Sequence, residues 1–121
     1  MQIVIRFFIM KISSSRRKGK RVEGLIRDIV KEACSLSDED IRIPVGAENG
    51  GDLKLSNRGK ARFPFSAEIK ARKKMDTLYK FMEQASKHYP ELVPIVILKG
   101  DYKEPLVLIS LDHFLSFVGQ R

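Results

Sequence analysis

One stretch limits what this chain can fold into more than any other. It runs from Gly50 to Lys74 and reads GGDLKLSNRGKARFPFSAEIKARKK. Two runs of residues typical of strands flank a polar segment that contains glycine, and this pattern predicts a β-hairpin. The predicted strands are about Asp52–Leu55 and Arg62–Ala71, and the predicted turn is Ser56–Gly59. We expect the other elements of the chain to be arranged around this hairpin.

The second predicted strand carries a carboxylate and an amine two residues apart. Side chains alternate across a strand, so Glu68 and Lys70 share one face while Ile69 points to the other. Asp52 opens the first strand and supplies a second carboxylate. A plain register centred on the turn does not place Asp52 opposite Glu68. A site that contains both carboxylates therefore predicts a bulge or an offset near Pro64.

These side chains suit a divalent cation. Two carboxylates and a backbone carbonyl, that of Ile69, provide the hard oxygen ligands that Mg²⁺ prefers. A metal held beside a phosphodiester neutralises developing charge and lowers the pKa of an attacking water. Lys70 is expected to orient that water or to stabilise the pentavalent phosphorus. The alternative is an exposed aspartate beside an ion pair on a solvated face, which contributes less than about 1 kcal/mol.

Length and composition are those of one globular domain spanning residues 1–121. Of the 121 residues, 43% are apolar and 31% are charged, and Cys34 is the single cysteine. One cysteine excludes an internal disulfide framework and is compatible with a reducing cytosol, so we expect a cytoplasmic protein. No apolar run reaches the roughly 18 residues of a membrane-spanning helix. Residues 1–15 are expected to form an N-terminal arm.

Hydrophobic periodicity predicts further elements on both sides of the hairpin. Helices are predicted at about Lys18–Leu36, Met75–His88 and Leu111–Val118, and strands at Ile41–Val45, Val93–Lys99 and Leu106–Ser110. The nearly continuous apolar runs of the last two strands are typical of strands covered on both faces. The predicted fold is α/β, in the order αβββαββα, with a mixed central sheet flanked by helices and a crossover through the second helix.

Glu23 lies at the edge of the apolar arc of the first predicted helix, next to Ile26 and Val30 on a helical wheel. A carboxylate at that position can face the sheet that the helix covers. The other interpretation is a boundary glutamate that forms an i, i+4 ion pair with Arg27. Periodicity leaves both interpretations open. Cys34 lies on the apolar arc, which indicates a buried thiol.

Basic residues outnumber acidic ones and occur in clusters. The 23 Lys and Arg against 15 Asp and Glu give a net charge of +8, which favours a polyanionic partner such as DNA. The residues expected to contact DNA are Arg16, Arg17, Lys18, Lys20, Arg21, Arg58, Lys60, Arg62, Arg72, Lys73 and Lys74. The alternative for each cluster is a solvated basic face. Phe63 and Phe65 are interpreted as core or dimer contacts rather than as platforms for base stacking.

The order of these residues resembles the PD-(D/E)XK nuclease superfamily. The similarity consists of Glu23 on a first helix, Gly51-Asp52, the triplet Glu68-Ile69-Lys70 and Gln84 on a following helix. The small size and the N-terminal sequence SRRKGKRVEGLIRDIV resemble the Holliday junction resolvases of archaea and their phage-encoded relatives. Gly51 stands where the superfamily pattern has proline. The long, arginine-rich segment between the two carboxylates is less typical.

The resemblance implies a restriction-endonuclease-like core and a metal-dependent reaction on DNA. It implies that Asp52 and Glu68 bind Mg²⁺ or Mn²⁺, that Glu23 completes the metal site, and that Lys70 assists the nucleophilic water. Gln84 corresponds to an accessory polar residue of such sites or, equally, to a surface side chain. Cleavage is expected to leave 5′-phosphate and 3′-hydroxyl ends.

The resulting hypothesis is a structure-selective endodeoxyribonuclease that cuts four-way DNA junctions. A junction has two-fold symmetry and needs two symmetric cuts, so a C2 homodimer is expected. One alternative is another nuclease of the same superfamily, acting on branched, nicked or single-stranded DNA in recombination or repair. A second alternative is a basic DNA-binding module without catalysis, whose acidic residues form a structural ion cluster. No membrane partner is expected.

Overall fold

The computed structural model describes residues 18–46, 48 and 51–119. The predicted N-terminal arm, residues 1–15, lies outside these described residues. Within them, no helix is long and apolar enough to cross a membrane.

The described chain divides into two compact units. The first contains the described residues up to Ala71 together with Val118 and Gly119, and the second is Arg72–Phe117. Four helices and four strands occur in the described residues, in the order αββααββα, so the chain is a mixed α/β protein.

The first unit begins with helix α1, Lys18–Ala33, which lies close to its predicted bounds. It packs against strand β1, Ile41–Arg42. The apolar side chains that recur at helical spacing in α1 and just after it are buried, and they form much of the core of this unit: Val22, Ile29, Val30, Cys34 and Leu36. The prediction of a buried thiol is confirmed, and burial raises the pKa of Cys34.

Strand β2, Lys54–Leu55, does not pair as the sequence predicts. It forms an antiparallel pair with β1, in which Ile41 lies opposite Leu55 and Arg42 opposite Lys54. The partner of β2 is therefore the strand before it in the chain rather than Arg62–Ala71. Ile41 is fully buried at this pairing, which explains the choice, since β1 brings a large apolar side chain to the core.

The predicted hairpin turn is wrong, because the residues after Ser56 form helix α2, Asn57–Arg62. Ser56 is the N-cap of this helix, and its hydroxyl accepts a hydrogen bond from the Gly59 N–H at 3.0 Å, as N-cap serines do. Gly59 is buried, and a Cβ at this position would collide with the carbonyl oxygen of Asp40. A cap and a close backbone contact thus hold six residues in a helix where turn-forming residues predict a loop.

Residues 64–71 belong to no helix and to neither sheet of the described chain, and we call them the extended segment because their exposure alternates as in an extended chain. Exposed and half-buried residues alternate along this segment, and the exposed ones are Pro64, Ser66, Glu68 and Lys70. The N–H of Phe65 donates to the carbonyl oxygen of Phe63 at 2.9 Å, which makes a tight turn across Pro64. The predicted alternation is therefore confirmed, whereas a register offset near Pro64 stays a prediction, because residues 64–71 pair with no strand of the described chain. The predicted strand pairing is wrong.

The second unit contains helix α3, Asp76–His88, and the strands β3, Ile95–Leu98, and β4, Leu106–Ile109. It also contains all but the last residue of helix α4, Leu111–Val118. The two strands are antiparallel, with Ile95 opposite Ile109 and Leu98 opposite Leu106. α3 packs against β3. All four elements occur where hydrophobic periodicity predicts them, within one or two residues at most boundaries.

The prediction that β3 and β4 are covered on both faces is wrong for the described chain. Ile97 is 69% exposed and Leu106 is 63% exposed, so an apolar run alone does not show that both faces are buried. The described strands also form two separate two-stranded sheets, β1-β2 and β3-β4. The predicted single mixed sheet does not occur among them.

Candidate functional site

Asp52 is fixed by two hydrogen bonds to the extended segment 64–71. Its N–H donates to the carbonyl oxygen of Ala67 at 3.0 Å, and its Oδ2 accepts a hydrogen bond from the Ile69 N–H at 2.6 Å. These two bonds lie on either side of Glu68 in the sequence. Helix α2 and the tight turn across Pro64 lie between Asp52 and the residues that it contacts, 67 and 69. A plain hairpin would instead place Asp52 beside residues 64 and 65.

Gly51 makes this close approach possible. Its φ is +84°, a conformation that favours glycine, and a Cβ there would lie 3.2 Å from the Ala67 carbonyl oxygen. That oxygen is the acceptor for the Asp52 N–H. A side chain at position 51 would therefore be strained and would press on the hydrogen bond that positions Asp52. The glycine that departs from the superfamily pattern has a specific local role here.

Glu68 and Lys70 lie on the same face of the extended segment, as the sequence predicts. The Lys70 Nζ is 3.8 Å from Glu68 Oε2, and the two side chains are 59% and 67% exposed. The Glu68 carboxyl is also close enough to Asp52 to influence its pKa. The structure thus brings together Asp52, Glu68 and Lys70, and it leaves the carboxylate and the amine of this pair open to solvent.

The pKa of Asp52 is held below its usual range. The Ile69 N–H is the largest cause, and the neighbouring Glu68 carboxyl and the charge of Lys70 act in the same direction. Hydrogen bonds from backbone amides stabilise the ionised form of a carboxyl group. Asp52 is therefore an anion at neutral pH, and its Oδ2 accepts the Ile69 N–H. The result is a fixed carboxylate next to a second, exposed one.

These groups match the ligand chemistry of a small divalent cation. Mg²⁺ is commonly bound in proteins through one or two carboxylates, with water and phosphate oxygens completing its coordination. Asp52 and Glu68 supply two such carboxylates, and the backbone at Ile69, predicted to add a carbonyl, lies against Asp52.

Glu23 does not join the two carboxylates. Among residues 18–46, 48 and 51–119, no three side chains of Asp, Glu, His or Cys lie close enough together to hold one metal ion. Glu23 is half-buried on α1, as expected of a residue at the edge of the apolar arc. The described site therefore contains two of the three predicted acidic ligands.

The sequence pattern places Asp40 in a loop after the first helix and indicates no role for it. It is buried, and its Oδ2 accepts hydrogen bonds from the Ser37 N–H and hydroxyl at 3.0 Å each and from Arg58 Nη1 at 2.7 Å. Its Oδ1 accepts a hydrogen bond from the Ser56 hydroxyl at 2.8 Å. The Ser37 amide is the largest cause of a strongly lowered pKa at Asp40. We refer to Asp40, Ser37, Ser56 and Arg58 as the Asp40 cluster.

The Asp40 cluster gives the basic residues of α2 a structural role that the sequence does not indicate. Arg58 binds Asp40 and also donates to the carbonyl oxygen of Ser35 at 3.3 Å. Arg62 Nε donates to the carbonyl oxygen of Cys34 at 2.7 Å. Both arginines thereby hold α2 against the end of α1. The sequence signal for this arrangement is Ser56, since serine before a run of helix-forming residues is an N-cap pattern.

The remaining predicted DNA contacts lie in several places. Lys60 is exposed on α2, and Arg21 is exposed on α1. Arg72, Lys73 and Lys74 are exposed at the start of the second unit, and Gln84 is exposed on α3. Arg16 and Arg17 lie outside the described residues, and only the helical backbone is described for Lys18 and Lys20. Phe63 is buried as predicted, and Phe65 packs edge-on against it with ring centroids 5.0 Å apart.

Comparisons of the whole chain with protein-family models, with curated proteins and with solved structures give no significant match. Assignment of a function therefore rests on the geometry of Asp52, Glu68 and Lys70 and on the chemistry that these groups support.

Proposed function

We propose that this chain is a metal-dependent, structure-selective endodeoxyribonuclease, and that its substrate is the four-way DNA junction. The observation that carries the proposal is the placement of Asp52 beside Glu68 and Lys70, through the Ile69 N–H bond to Asp52 Oδ2 and the pair of side chains at 3.8 Å. Two carboxylates and one amine, on a chain with net charge +8, suit hydrolysis of a phosphodiester.

Mg²⁺ or Mn²⁺, when bound, supplies charge neutralisation and an activated water. The residues of the chain hold and orient the reacting groups. Asp52 presents a carboxylate whose direction is fixed by the Ile69 amide. Glu68 presents a second carboxylate from the exposed face of the extended segment. Lys70 lies beside Glu68, where its ammonium group donates a hydrogen bond to a water or to a phosphate oxygen.

The proposal also extends to the fold, the assembly, the cellular location and the salt dependence of DNA binding. A restriction-endonuclease-like core is proposed from the resemblance of the motif residues. A C2 homodimer is proposed because a four-way junction requires two symmetric cuts. A cytoplasmic location, or the host cytoplasm for a phage protein, is proposed because the chain has a single, buried cysteine. If about six phosphates are contacted, the logarithm of the binding constant should fall with the logarithm of salt with a slope near −5.

A labelled four-way junction incubated with the protein and Mg²⁺ tests the proposal. Wild type is expected to cut two opposite strands symmetrically, and Asp52→Asn and Glu68→Gln are expected to lose cleavage. Glu83→Gln is a matched control. Glu83 is 66% exposed and lies 3.7 Å from Lys87, so this substitution removes the same charge from a similar ion pair elsewhere in the chain. It should cleave as wild type does.

Two results would favour one of the alternative functions instead. Cleavage of a linear duplex as fast as a junction would leave a nuclease of the same superfamily without junction selectivity. Junction binding without cleavage by the wild type, in Mg²⁺ and in Mn²⁺, would favour the non-catalytic DNA-binding module. The observation that favours this second candidate is that no three acidic, His or Cys side chains of the described residues form one metal-binding group.

A further inference from the structure

A cleft of about 510 Å³ opens in the first unit beside the candidate site. Its walls include Leu53 and Lys54 on the β2 side, Lys60 on α2, and Pro64, Phe65 and Ser66 on the extended segment. The volume lies in the range of ligand-binding pockets in proteins, about 300–1,000 Å³. None of the predicted roles of Asp52, Glu68 or Lys70 accounts for this cleft.

The cleft adjoins the carboxylate pair through two chain segments. Leu53 directly follows Asp52, and Ser66 directly precedes Ala67, whose carbonyl oxygen accepts the Asp52 N–H at 3.0 Å. Ser66 and Glu68 belong to the exposed face of the extended segment. Two residues of extended chain span about 7 Å, so Ser66 at the cleft lies about that far from Glu68 along the segment. A strand bound at Glu68 therefore reaches the cleft with its neighbouring nucleotides.

The lining combines positive charge with apolar and aromatic surface. Lys60 is exposed at the cleft. The pKa of Glu48 is lowered to about 2, mainly by its hydrogen bonds with the Arg42 guanidinium. The charge of Lys54 also lowers it, which shows that Lys54 lies near Glu48. Arg42 already forms a two-bond ion pair with Glu48, so the charge of this group as a whole stays positive. Phe65, which the sequence alone favours as a core or dimer contact, is half-buried and lines the cleft. Phe65 and Pro64 add apolar surface, and Ser66 adds a hydroxyl.

We propose that this cleft binds a single unpaired nucleotide of the DNA strand adjacent to the cleaved phosphate, with Lys54 and Lys60 at its phosphate and Phe65 against its base. The proposal rests on the proposed nuclease function, because it takes the strand to be held at Asp52 and Glu68. It names the substrate class of the site more closely: a strand with an unstacked base near the cut, such as the strands at a branch point. Aromatic side chains bind single-stranded bases by stacking, whatever the sequence.

Binding of a fluorescent twelve-residue oligothymidylate tests the cleft, measured by anisotropy in EDTA, where metal-dependent cleavage is absent. Lys60→Gln is expected to weaken binding by about five- to tenfold at 0.1 M salt and to make the salt slope shallower by about 0.7. Lys80→Gln removes the same charge from an exposed position on α3 and should change affinity by less than about twofold. Phe65→Leu is expected to weaken binding by about fivefold or more.

Phe117→Leu is the control for Phe65→Leu, since Phe117 is 53% exposed and does not line the cleft. Melting temperatures show whether each variant is folded, and the exposed Lys60 substitution carries the test if Phe65→Leu unfolds. Equal losses in Lys60→Gln and Lys80→Gln, with unchanged binding in a folded Phe65→Leu variant, would overturn the proposal.

A junction cleavage assay in Mg²⁺ run on the same proteins separates this proposal from the proposed function. Cleft-dependent binding without any cleavage by wild type would refute the nuclease and leave a nucleotide-binding cleft. Cleavage by wild type and an unaltered rate for Lys60→Gln at subsaturating junction would refute the cleft and leave the nuclease. Loss of both oligonucleotide affinity and subsaturating cleavage in Lys60→Gln, with Lys80→Gln unaffected, is the expected result.

Discussion

Asp40 and Asp52 are two aspartates of the first unit that are both stabilised as anions, but their surroundings differ. Asp40 is buried, and four donors from Ser37, Ser56 and Arg58 surround its two oxygens. Asp52 receives one backbone donor and stands beside an exposed glutamate and an exposed lysine. The first carboxylate is fully satisfied inside the protein, and the second has capacity left for a ligand.

The difference shows that a lowered pKa does not by itself identify a functional acid. At Asp40 the pKa is lowered by hydrogen bonds that tie the loop before β1 to the start of α2. At Asp52 it is lowered mainly by the amide of Ile69, the residue between Glu68 and Lys70. What separates the two sites is exposure and the number of donors already in place. A structural carboxylate and a candidate metal ligand are distinguished by what remains free around them.

The largest expected effects, on cleavage rate and on melting temperature, come from replacing the carboxylates of Asp52 and Asp40 by amides. Asp52→Asn should lower the rate of junction cleavage by at least about 100-fold, because the amide is a poor ligand for Mg²⁺, while an acceptor for the Ile69 N–H remains. Asp40→Asn should lower the melting temperature far more than Asp52→Asn does, because an amide group turns a donor towards Ser56 or Arg58. Cleavage rates and thermal unfolding of both variants provide the measurements.

The assignment of Asp52 as the functional aspartate and Asp40 as the structural one would be wrong if the two substitutions had the opposite effects. A strong fall in melting temperature for Asp52→Asn with full cleavage activity would make Asp52 the structural residue. Cleavage by Asp40→Asn should be measured below its own melting temperature, where the folded variant is expected to cut at close to the wild-type rate.

The close packing at the Asp40 cluster predicts opposite effects of the same substitution at two helical glycines. Gly24→Ala should stabilise the protein by about 0.5–1 kcal/mol, since no atom lies within 4 Å of the added Cβ and alanine favours the helix. Gly59→Ala should destabilise it by about 1–3 kcal/mol, because the Cβ collides with the Asp40 carbonyl oxygen and overpacking outweighs helix propensity.

Urea unfolding measures both free energies, with Gly24→Ala as the matched control. A stabilised Gly59→Ala variant would show that the loop bearing Asp40 can move away from α2 at little cost. The Asp40 cluster would then be less rigid than its hydrogen bonds indicate.

The lowered pKa of Asp40 predicts how its contribution depends on pH. In the unfolded chain Asp40 takes up a proton near pH 4, whereas in the folded protein it stays ionised to a lower pH. Its contribution to stability is therefore complete above about pH 4 and is lost as the pH falls below that value. The difference in unfolding free energy between wild type and Asp40→Asn should narrow from pH 5 to pH 2. A difference that stays constant over this range would contradict the assignment.

The smallest expected effect concerns the stability contributed by the exposed ion pairs. Lys70→Gln and Lys87→Gln should each change the unfolding free energy by less than about 0.5 kcal/mol, because both lysines form exposed pairs, with Glu68 at 3.8 Å and Glu83 at 3.7 Å. Junction cleavage should distinguish them, with a loss of about 100-fold for Lys70→Gln alone. Equal activity of the two variants would assign Lys70 to the solvated surface.

Much of the local structure follows from periodicity. The helical spacing from Val22 to Val30 gives α1, the alternation along 64–71 gives an extended segment, and Pro90 marks the end of α3 just after His88. The face shared by Glu68 and Lys70 is likewise a property of the sequence, since any extended chain places residues two apart on one side. The predictions that fail are those about pairing and burial, for which neighbours distant in the sequence decide.

Two particular errors have clear physical causes. The segment Ser56–Gly59 has turn-forming composition, but the Ser56 cap and the contact of Gly59 with the Asp40 backbone stabilise a helix. The run Val93–Lys99 is apolar enough for a buried strand, yet Ile95 and Ile97 are exposed in the described chain. In both cases composition gives the preference of a segment, and the tertiary contacts decide whether that preference is realised.

The sequence by itself determined the Gly50–Lys74 segment as the place where acidic and basic side chains meet, because the period of an extended chain fixes which residues share a face. Only the tertiary structure decided that Asp52 reaches Ala67 and Ile69, since this depends on helix α2, the turn across Pro64 and the positive φ of Gly51. It also decided that Glu23 stays apart from the pair and that Asp40 is structural. Those outcomes depend on packing between segments that are distant in the chain, which no local pattern encodes.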